Sequence, residues 1–336
     1  MLPQYLEKPA YIFHRSSTTL GLTFFSPFAI CPNRFSHHRA WNLTTCKTII
    51  VIMAQNTIFF LGAGGNIGAS SVKLFKSKGY KVASVARTIR KEVAEHSDLV
   101  MTADFSDPTT INSIFETVER ELGVPNVVVY NRRPDTWEDV MDDTLCMLFH
   151  ITMIAYSWSI GTDPSNPLST PIEGVQKDLA INTVGAYAAA QAAVESFDKL
   201  PCDVKKTFIY TGNTSNTAIV PMALLLGLTK SSTWYMIQSL VATPRFISAG
   251  YRFYYVDERT PAGKAMQGIS GPAHAEFFLE LAEKEDQGEA LATFVRGNGY
   301  TRFEGNAAAI LPVRTLEDMV DAEYGLPGTV EAEYGS

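Results

Sequence analysis

Short apolar runs alternate with amphipathic stretches from about position 57 to about position 260. The runs are rich in Val, Ile, Phe and Tyr, and several are continuously apolar, as in strands buried on both faces of a parallel sheet. They predict six strands, at 57–61, 81–86, 98–103, 126–130, 206–211 and 252–256. Helical spacing between them predicts helices over 67–78, 109–122, 176–198 and 228–242. The alternation predicts an α/β fold, a doubly wound parallel sheet of Rossmann type between two helical layers.

The first predicted strand leads directly into a glycine-rich turn, 62-GAGGNIG-68, and the first predicted helix follows. Glycine lets the backbone turn sharply and approach a pyrophosphate, and a helix N-terminus offers free N–H groups and a positive dipole end. A turn in this context predicts a dinucleotide site. Its expected members are Gly62, Gly64, Asn66, Ile67 and Gly68.

The end of the second predicted strand favours NADP(H) over NAD(H). Proteins that prefer NAD place an acid there to hold the ribose hydroxyls. This chain instead has Arg87, followed by Arg90 and Lys91. Because an arginine pairs with a phosphate through two parallel hydrogen bonds, Arg87 is predicted to bind the 2′-phosphate of NADP(H).

The composition is that of a globular protein, with 46% hydrophobic and 19% charged residues and a net charge of −7. That charge argues against nucleic acid as a partner. The four cysteines have no metal-ligand spacing, which favours a reducing compartment. We therefore predict a cytoplasmic protein that acts on a small molecule, with no bound metal and no membrane association.

Three segments do not fit the predicted domain at 53–303: two flank it, and the third is an insertion within it. Residues 1–52 are basic and rich in Ser and Thr, typical of a transit peptide, which would make the protein mitochondrial, or of translated upstream sequence. Residues 141–160 are mostly apolar, and we interpret them as a retained intron or a surface insertion. The alternative interpretation is a hydrophobic lid over the substrate pocket. Residues 304–336 hold seven acids and one arginine, which predicts a largely disordered tail with a possible helix at 315–323.

Over 53–303 the chain resembles the short-chain dehydrogenase/reductase superfamily. The motif 61-LGAGGNIG-68 is similar to the family's T-G-x-x-x-G-I-G turn, with Leu61 for Thr and Asn66 for the middle Gly. Asp104 matches the acid placed beside the adenine, and Asn131 matches one residue of the N-N-A-G motif. The resemblance implies that Asp104 and Asn131 belong to the cofactor site.

The same resemblance implies four catalytic side chains, and this chain departs from two of them. Asn182 matches the active-site Asn, and Lys230 matches the Lys of the Y-x-x-x-K motif, which also holds the nicotinamide ribose. Counting back from Lys230, Leu226 stands at the Tyr position and Asn213 at the Ser position. Leucine donates no proton, whereas Asn213 still donates a hydrogen bond.

The proton donor therefore stays open at this point. Water helped by Asn182 and Lys230 is one source; the others are Tyr210, Tyr187, Tyr235, Asp178 and the expected loop at 257–259. Arg132 and Arg133 follow Asn131 and are candidates to clamp an anionic substrate or to stabilise charge on a carbonyl oxygen.

The function predicted from the sequence is NADP(H)-dependent reduction of a small-molecule carbonyl or imine with a non-standard proton donor. The alternatives are a non-catalytic dinucleotide-binding sensor, or a cyclase or isomerase built on the same fold. The resemblance implies a homodimer or homotetramer, with the 228–242 helix as the contact. A further helix is predicted at 273–284, on which His274 and Glu276 are expected at the surface.

Overall fold

A computed structural model describes residues 56–131, 166–220, 223–266 and 268–303. Arg132, Arg133, the segments 1–52 and 141–160, and the tail at 304–336 lie outside these described residues. What was predicted for them stays a prediction.

The described strands form one sheet in the order β3-β2-β1-β4-β5-β6-β7-β8. Neighbours from β3 to β7 pair in parallel, and β8 pairs antiparallel with β7 at the edge. The strands are β1 Thr57–Leu61, β2 Lys81–Ala86, β3 Leu99–Thr102, β4 Val127–Tyr130, β5 Lys206–Thr211, β6 Tyr251–Arg259, β7 Leu291–Val295 and β8 Gly299–Tyr300. The predicted doubly wound sheet is confirmed.

The helices of the described chain pack on both faces of this sheet. They are α1 Ile67–Ser77, α2 Lys91–Ala94, α3 Thr110–Leu122, α4 Ile172–Leu179, α5 Gly185–Phe197, α6 Leu224–Val241, α7 Pro244–Ser248 and α8 Gly271–Glu283. A π-helical turn at Ala180–Val184 joins α4 to α5, and a short 3-10 helix spans Thr214–Asn216. The predicted helix at 176–198 is therefore two helices with a π turn between them.

Two apolar layers hold the helices against the sheet. On one face, α1 and α8 bury Val72, Phe75 and Phe278 against β1 residues such as Phe60. On the other face, α3, α5 and α6 cover a second set that includes Phe59, Phe115 and Tyr210. Strand residues alternate between these layers, and β1 is buried along its whole length. A strand covered on both faces has no polar side, which explains its continuously apolar sequence.

The strand order reverses between β1 and β4, since β2 lies on one side of β1 and β4 on the other. In an open α/β sheet, ligands bind in the crevice at the carboxyl ends of the strands beside such a reversal. The turn after β1 and Asn131 after β4 both lie at this edge. The fold therefore brings the sequence-predicted site residues of these two strands together.

Candidate active site

The turn after β1 is held in shape from two sides. Gly62 has φ +90°, a conformation that favours glycine, and its N–H donates to the Val85 carbonyl at 2.7 Å. From β4, the Asn131 side-chain amide donates to the Gly62 carbonyl at 2.9 Å. The turn is thereby fixed to both neighbouring strands.

Gly68 lets α1 begin close against this turn. A Cβ at Gly68 would lie 2.6 Å from the Ala63 backbone, closer than two unbonded carbon atoms approach. On the outer side, Gly64 and Gly65 are exposed, and a Cβ at Gly64 would meet no described atom within 4 Å. The backbone between β1 and α1 thus presents an open surface beside a helix N-terminus.

Asn66 stands where the family has a glycine, and its side chain turns away from that open surface. Its amide nitrogen donates to the Ile269 carbonyl at 3.0 Å, and its amide oxygen accepts from the Gly271 N–H at 2.9 Å. Gly271 is the first residue of α8, and any Cβ there would collide with Asn66. The amide therefore links the turn to α8 and leaves the ligand-facing side clear.

Two arginines lie at the end of β2 beside the turn. Arg87 follows the strand directly and is half-buried. Arg90 crosses the turn, since a Cβ at Gly65 would lie 2.9 Å from its Cδ and 3.2 Å from its Nη1. Asp104, after β3, is exposed and accepts a hydrogen bond from the Ser106 N–H at 2.9 Å. The charge beside the end of β2 is therefore positive.

Lys230 reaches the carboxyl end of β5 from α6. Its ammonium donates to the Tyr210 hydroxyl at 3.0 Å and to the Thr211 carbonyl at 3.1 Å, and it lies 4.6 Å from the centre of the Tyr210 ring. Lys230 is only 2% exposed. Because a buried ammonium is costly unless hydrogen-bonded, these contacts fix the Nζ atom at this edge of the sheet.

Asn182 lies on the π turn between α4 and α5 and is buried. Its side-chain amide donates to the Asp178 carbonyl at 3.2 Å, and its own carbonyl oxygen is 3.5 Å from the Tyr210 hydroxyl. π turns are frequent at functional sites because they redirect a side chain or a carbonyl within a helix. Through Tyr210, the structure brings Asn182 and Lys230 into one polar cluster.

Asn213 and Leu226 are the residues that the sequence resemblance predicts at the family's Ser and Tyr positions. The Asn213 side chain accepts from the Ser215 N–H at 3.0 Å and so caps the short 3-10 helix. Its backbone N–H and carbonyl both bond the Tyr255 hydroxyl, at 3.1 and 2.8 Å. Leu226 is buried on α6, one turn before Lys230. Neither side chain offers an acidic proton.

Two of the candidate proton donors lie away from this cluster. Tyr187 is 60% exposed on α5, and Tyr235 is 74% exposed on α6. Asp178 is buried near the end of α4. Of these three residues, Asp178 is the one that contacts Asn182, since its backbone carbonyl accepts from the Asn182 amide.

The prediction of a loop at 257–259 was wrong, because these residues are the last three of the long strand β6. Register with β7 explains the extra length: Asp257, Glu258 and Arg259 pair with Thr293, Phe294 and Val295, and β7 itself was not predicted. Asp257 is buried beside Arg259, whose Nε lies 2.7 Å from its carboxylate. Burial raises the pKa of Asp257 to about 6, with Arg259 and Lys230 opposing the rise.

The surface position expected for His274 was also wrong; it is 1% exposed, whereas Glu276 is exposed as predicted. The His274 ring packs edge-on against Phe278 and Phe294. Its Nδ1 is 2.9 Å from the Ser270 carbonyl and 3.4 Å from the buried Glu258 carboxylate. Burial lowers the pKa of His274 to about 4, so the ring is neutral at pH 7.

In the part of the chain that the structure describes, no three of His, Cys, Asp and Glu come together as metal ligands. The described helices also include none that is both long and apolar enough to cross a membrane.

The fold and this edge together define a Rossmann-type protein with a dinucleotide-binding turn and a buried lysine beside it. No family model matches the chain. A curated relative does: the chain is 35% identical over 252 residues to the short chain dehydrogenase/reductase dmxR12 of Cryptosporiopsis sp. (strain 8999), covering 75% of this chain and 96% of the relative. The protein belongs to the short-chain dehydrogenase/reductase family, a family of oxidoreductases.

Solved structures with lower identity share the fold. A short-chain dehydrogenase/reductase variant from Serratia marcescens matches with TM-score 0.52 and 16% identity, covering 76% of this chain and 95% of its own. A metagenomic short-chain oxidoreductase in complex with NADP matches with TM-score 0.54 and 16% identity, covering 71% and 95%. A 3-oxoacyl-[acyl-carrier protein] reductase from Brucella melitensis matches with TM-score 0.54 and 13% identity, covering 76% and 95%.

Proposed function

We propose that this chain is an NADP(H)-dependent oxidoreductase that reduces the carbonyl or imine carbon of a small molecule with a proton donor other than a helix tyrosine. The observation that carries the proposal is the position of Lys230. Its buried ammonium lies at the carboxyl edge of the sheet, at the end of β5, while Leu226 one turn earlier has no proton to give. The lysine of the family's chemistry is retained and its tyrosine is replaced.

The cofactor site supports binding of a dinucleotide phosphate. The pyrophosphate would be held by the backbone of the 62–68 turn at the start of α1, which is open over Gly64. Arg87, with Arg90 beside Gly65, supplies positive charge for the 2′-phosphate. Asp104, beside the adenine in the family, is exposed at the same edge.

The nicotinamide half would lie near Asn131 and Lys230. An ammonium has three N–H donors, and among the described residues two of those on Lys230 are used by Tyr210 and Thr211. The third is then available to the nicotinamide ribose or to a substrate oxygen. When bound, the reduced nicotinamide supplies a hydrogen with its electron pair to the substrate carbon. The chain's own residues must supply the proton and hold the developing negative charge.

On the substrate side of the site, the described candidate is Asn213. Asn213, at the family's Ser position, has a side-chain amide that can donate to a carbonyl oxygen, since its oxygen already caps the short 3-10 helix. Arg132 and Arg133 stay candidates for clamping an anionic substrate. An imine substrate depends less on a proton donor in the protein than a ketone does, because an imine that binds as the iminium ion already carries the proton.

The cofactor part of the proposal is tested by titrating the full-length protein with NADPH and with NADH and following nicotinamide fluorescence. We expect tighter binding of NADPH, and a loss of at least about tenfold in NADPH affinity in Arg87→Ala with NADH unchanged, as for one charged hydrogen-bonding group. Arg120→Ala removes an exposed arginine on α3 and is the matched control. Equal affinities for the two cofactors would contradict the NADP(H) preference, and no binding of either would contradict the proposal.

A further inference from the structure

Three tyrosines on neighbouring strands stack beside Lys230. The rings of Tyr130 and Tyr210 are nearly parallel, with centres 6.1 Å apart, and the Tyr255 ring lies 5.5 Å beyond Tyr210 on the other side. Register explains the stack, because Tyr210 pairs with Tyr130 on β4 and with Tyr255 on β6. Tyr210 is thus the central ring, and all three are buried.

The three hydroxyl groups differ in where their protons are held. Tyr130 donates to the Ile181 carbonyl at 2.5 Å, and Tyr255 donates to the Asn213 carbonyl at 2.8 Å. The Tyr210 hydroxyl is 3.5 Å from its acceptor, the Asn182 carbonyl. Phenolic hydrogen bonds are strongest near 2.7 Å and weak at 3.5 Å. Of the three hydroxyl groups, that of Tyr210 therefore has the longest hydrogen bond to its acceptor.

Tyr210 is also the tyrosine that contacts the ammonium. Lys230 donates to its oxygen at 3.0 Å, while the Thr211 carbonyl at 3.1 Å keeps the lysine in place. A cation this close stabilises the oxygen when it carries negative charge, and the effect is large at a site removed from water. Tyr210 and Lys230 are 1% and 2% exposed.

From this geometry, and resting on the reduction proposed above, we propose that Tyr210 is the proton donor of the reaction and that Lys230 stabilises the resulting phenolate. With a reduced nicotinamide bound, the substrate carbon would receive a hydrogen with its electron pair, and the π electrons of the C=O or C=N bond would move to the heteroatom. That atom would take the proton from the Tyr210 oxygen. Lys230 then returns a proton to Tyr210 and is itself reprotonated from solvent, so one proton is consumed in each turnover.

Three other titratable groups of the described residues are paired elsewhere or lie away from this edge. The Asp257 carboxylate is paired with the Arg259 guanidinium. Tyr187 and Tyr235 are exposed on outer helix surfaces. In contrast, Tyr210 lies near the carboxyl end of β5, the strand beside β4, whose end holds Asn131. A substrate oxygen would reach the Tyr210–Lys230 pair from this edge, where the nicotinamide is expected.

The test compares Tyr210→Phe with wild-type full-length protein on a substrate that the wild type reduces. We expect kcat to fall by about 100-fold or more, the usual contribution of a positioned acid. The NADPH affinity should stay within about twofold, because Phe keeps the stacked ring. Tyr130→Phe is the matched control, since it removes a buried hydroxyl from the same stack; its kcat should fall far less.

A second readout separates proton donation from structure. A ring-fluorinated tyrosine at position 210 keeps the hydroxyl but is more acidic, so the pH profile of kcat should move to lower pH. The same replacement at Tyr187 should leave the profile unchanged. Turnover of Tyr210→Phe at the wild-type rate, or an unmoved profile, would overturn the assignment while leaving the reductase proposal intact. A wild-type protein that binds NADPH and reduces nothing would overturn both.

Discussion

The amide of Asn66 and the backbone N–H of Gly271 form a 2.9 Å hydrogen bond that joins the cofactor turn to the start of α8. The same side chain forms a second hydrogen bond, in which its amide nitrogen donates to the Ile269 carbonyl. The two residues are more than 200 positions apart in the sequence. The family's glycine at this position has no side chain for such a link, so Asn66 adds a constraint to the cofactor turn.

Replacing Asn66 by Ala should therefore lower stability without blocking the site. Loss of two hydrogen bonds at an exposed position should reduce the free energy of unfolding by about 1–2 kcal/mol in urea denaturation. Asn66→Asp keeps the acceptor for the Gly271 N–H and loses the bond to Ile269, so its loss should be smaller. An Ala variant as stable as wild type would show that the link does not contribute.

The buried pair of Asp257 and Arg259 gives a larger prediction. Asp257→Asn leaves the Arg259 guanidinium buried without its counter-charge, and we expect a loss of about 3–5 kcal/mol in unfolding free energy. Replacing both residues by apolar ones, Asp257→Leu with Arg259→Met, should cost less than the single change. If the double variant is less stable than Asp257→Asn, the ion pair stabilises the fold more than apolar residues at the same two positions would.

His274 predicts how stability varies with pH. Its pKa is about 4 in the folded protein and 6.5 when unfolded, so between these values the unfolded chain binds more protons. This contribution to stability is complete above pH 6.5 and is lost as the pH falls towards 4, by about 3 kcal/mol in all. His274→Phe, which suits the neighbouring Phe278 and Phe294 rings, should show a shallower loss between pH 6.5 and 4.

Equal slopes in unfolding experiments on the two proteins over that pH interval would contradict this prediction. Glu258, with its pKa raised by burial, and Asp257 contribute in the opposite direction in both proteins. For this reason the difference between the variant and wild type, rather than the slope of either, is the quantity to compare.

Leu226 is a position at which a tyrosine hydroxyl can be introduced beside Lys230. In the Tyr210→Phe background, Leu226→Tyr should restore ketone reduction by at least about tenfold, because the new hydroxyl lies one turn before Lys230 on the same helix. Leu226→Phe adds the ring without the hydroxyl and should restore nothing. Imine reduction should depend less on either change. An equal gain in the Phe and Tyr variants would mean that ring packing, not proton donation, is responsible.

The central sheet could be predicted from sequence because its strands are covered on both faces. Thr57–Leu61, Lys81–Ala86 and Lys206–Thr211 were predicted with the bounds they have, since each is a short run rich in apolar, aromatic or β-branched residues. The end of β6 was not, because Asp257, Glu258 and Arg259 look like a solvated turn. These three residues form a buried strand because they pair with β7 and because their charges are paired, Asp257 with Arg259 and Glu258 with Arg296.

The same distinction holds for the site: residues in a local motif could be predicted from sequence, and long-range contacts could not. The glycine turn is a local signal, so its residues could be placed from sequence. The Tyr210–Lys230 contact depends on how far α6 reaches across the end of β5, and the link from Asn66 to Gly271 spans most of the chain. Neither leaves a local pattern. His274 was misplaced because helical spacing alone did not reveal that α8 is buried on more than one side, against α1 and β7.

The most direct measurement is the loss of nicotinamide absorbance when full-length protein is mixed with NADPH and a panel of ketones, aldehydes and imines. We expect that at least one compound is reduced, and that Lys230→Met, which removes the charge and keeps a long side chain, lowers that rate by about 100-fold or more. NADPH binding without turnover of any compound would contradict this expectation and favour a dinucleotide-binding sensor.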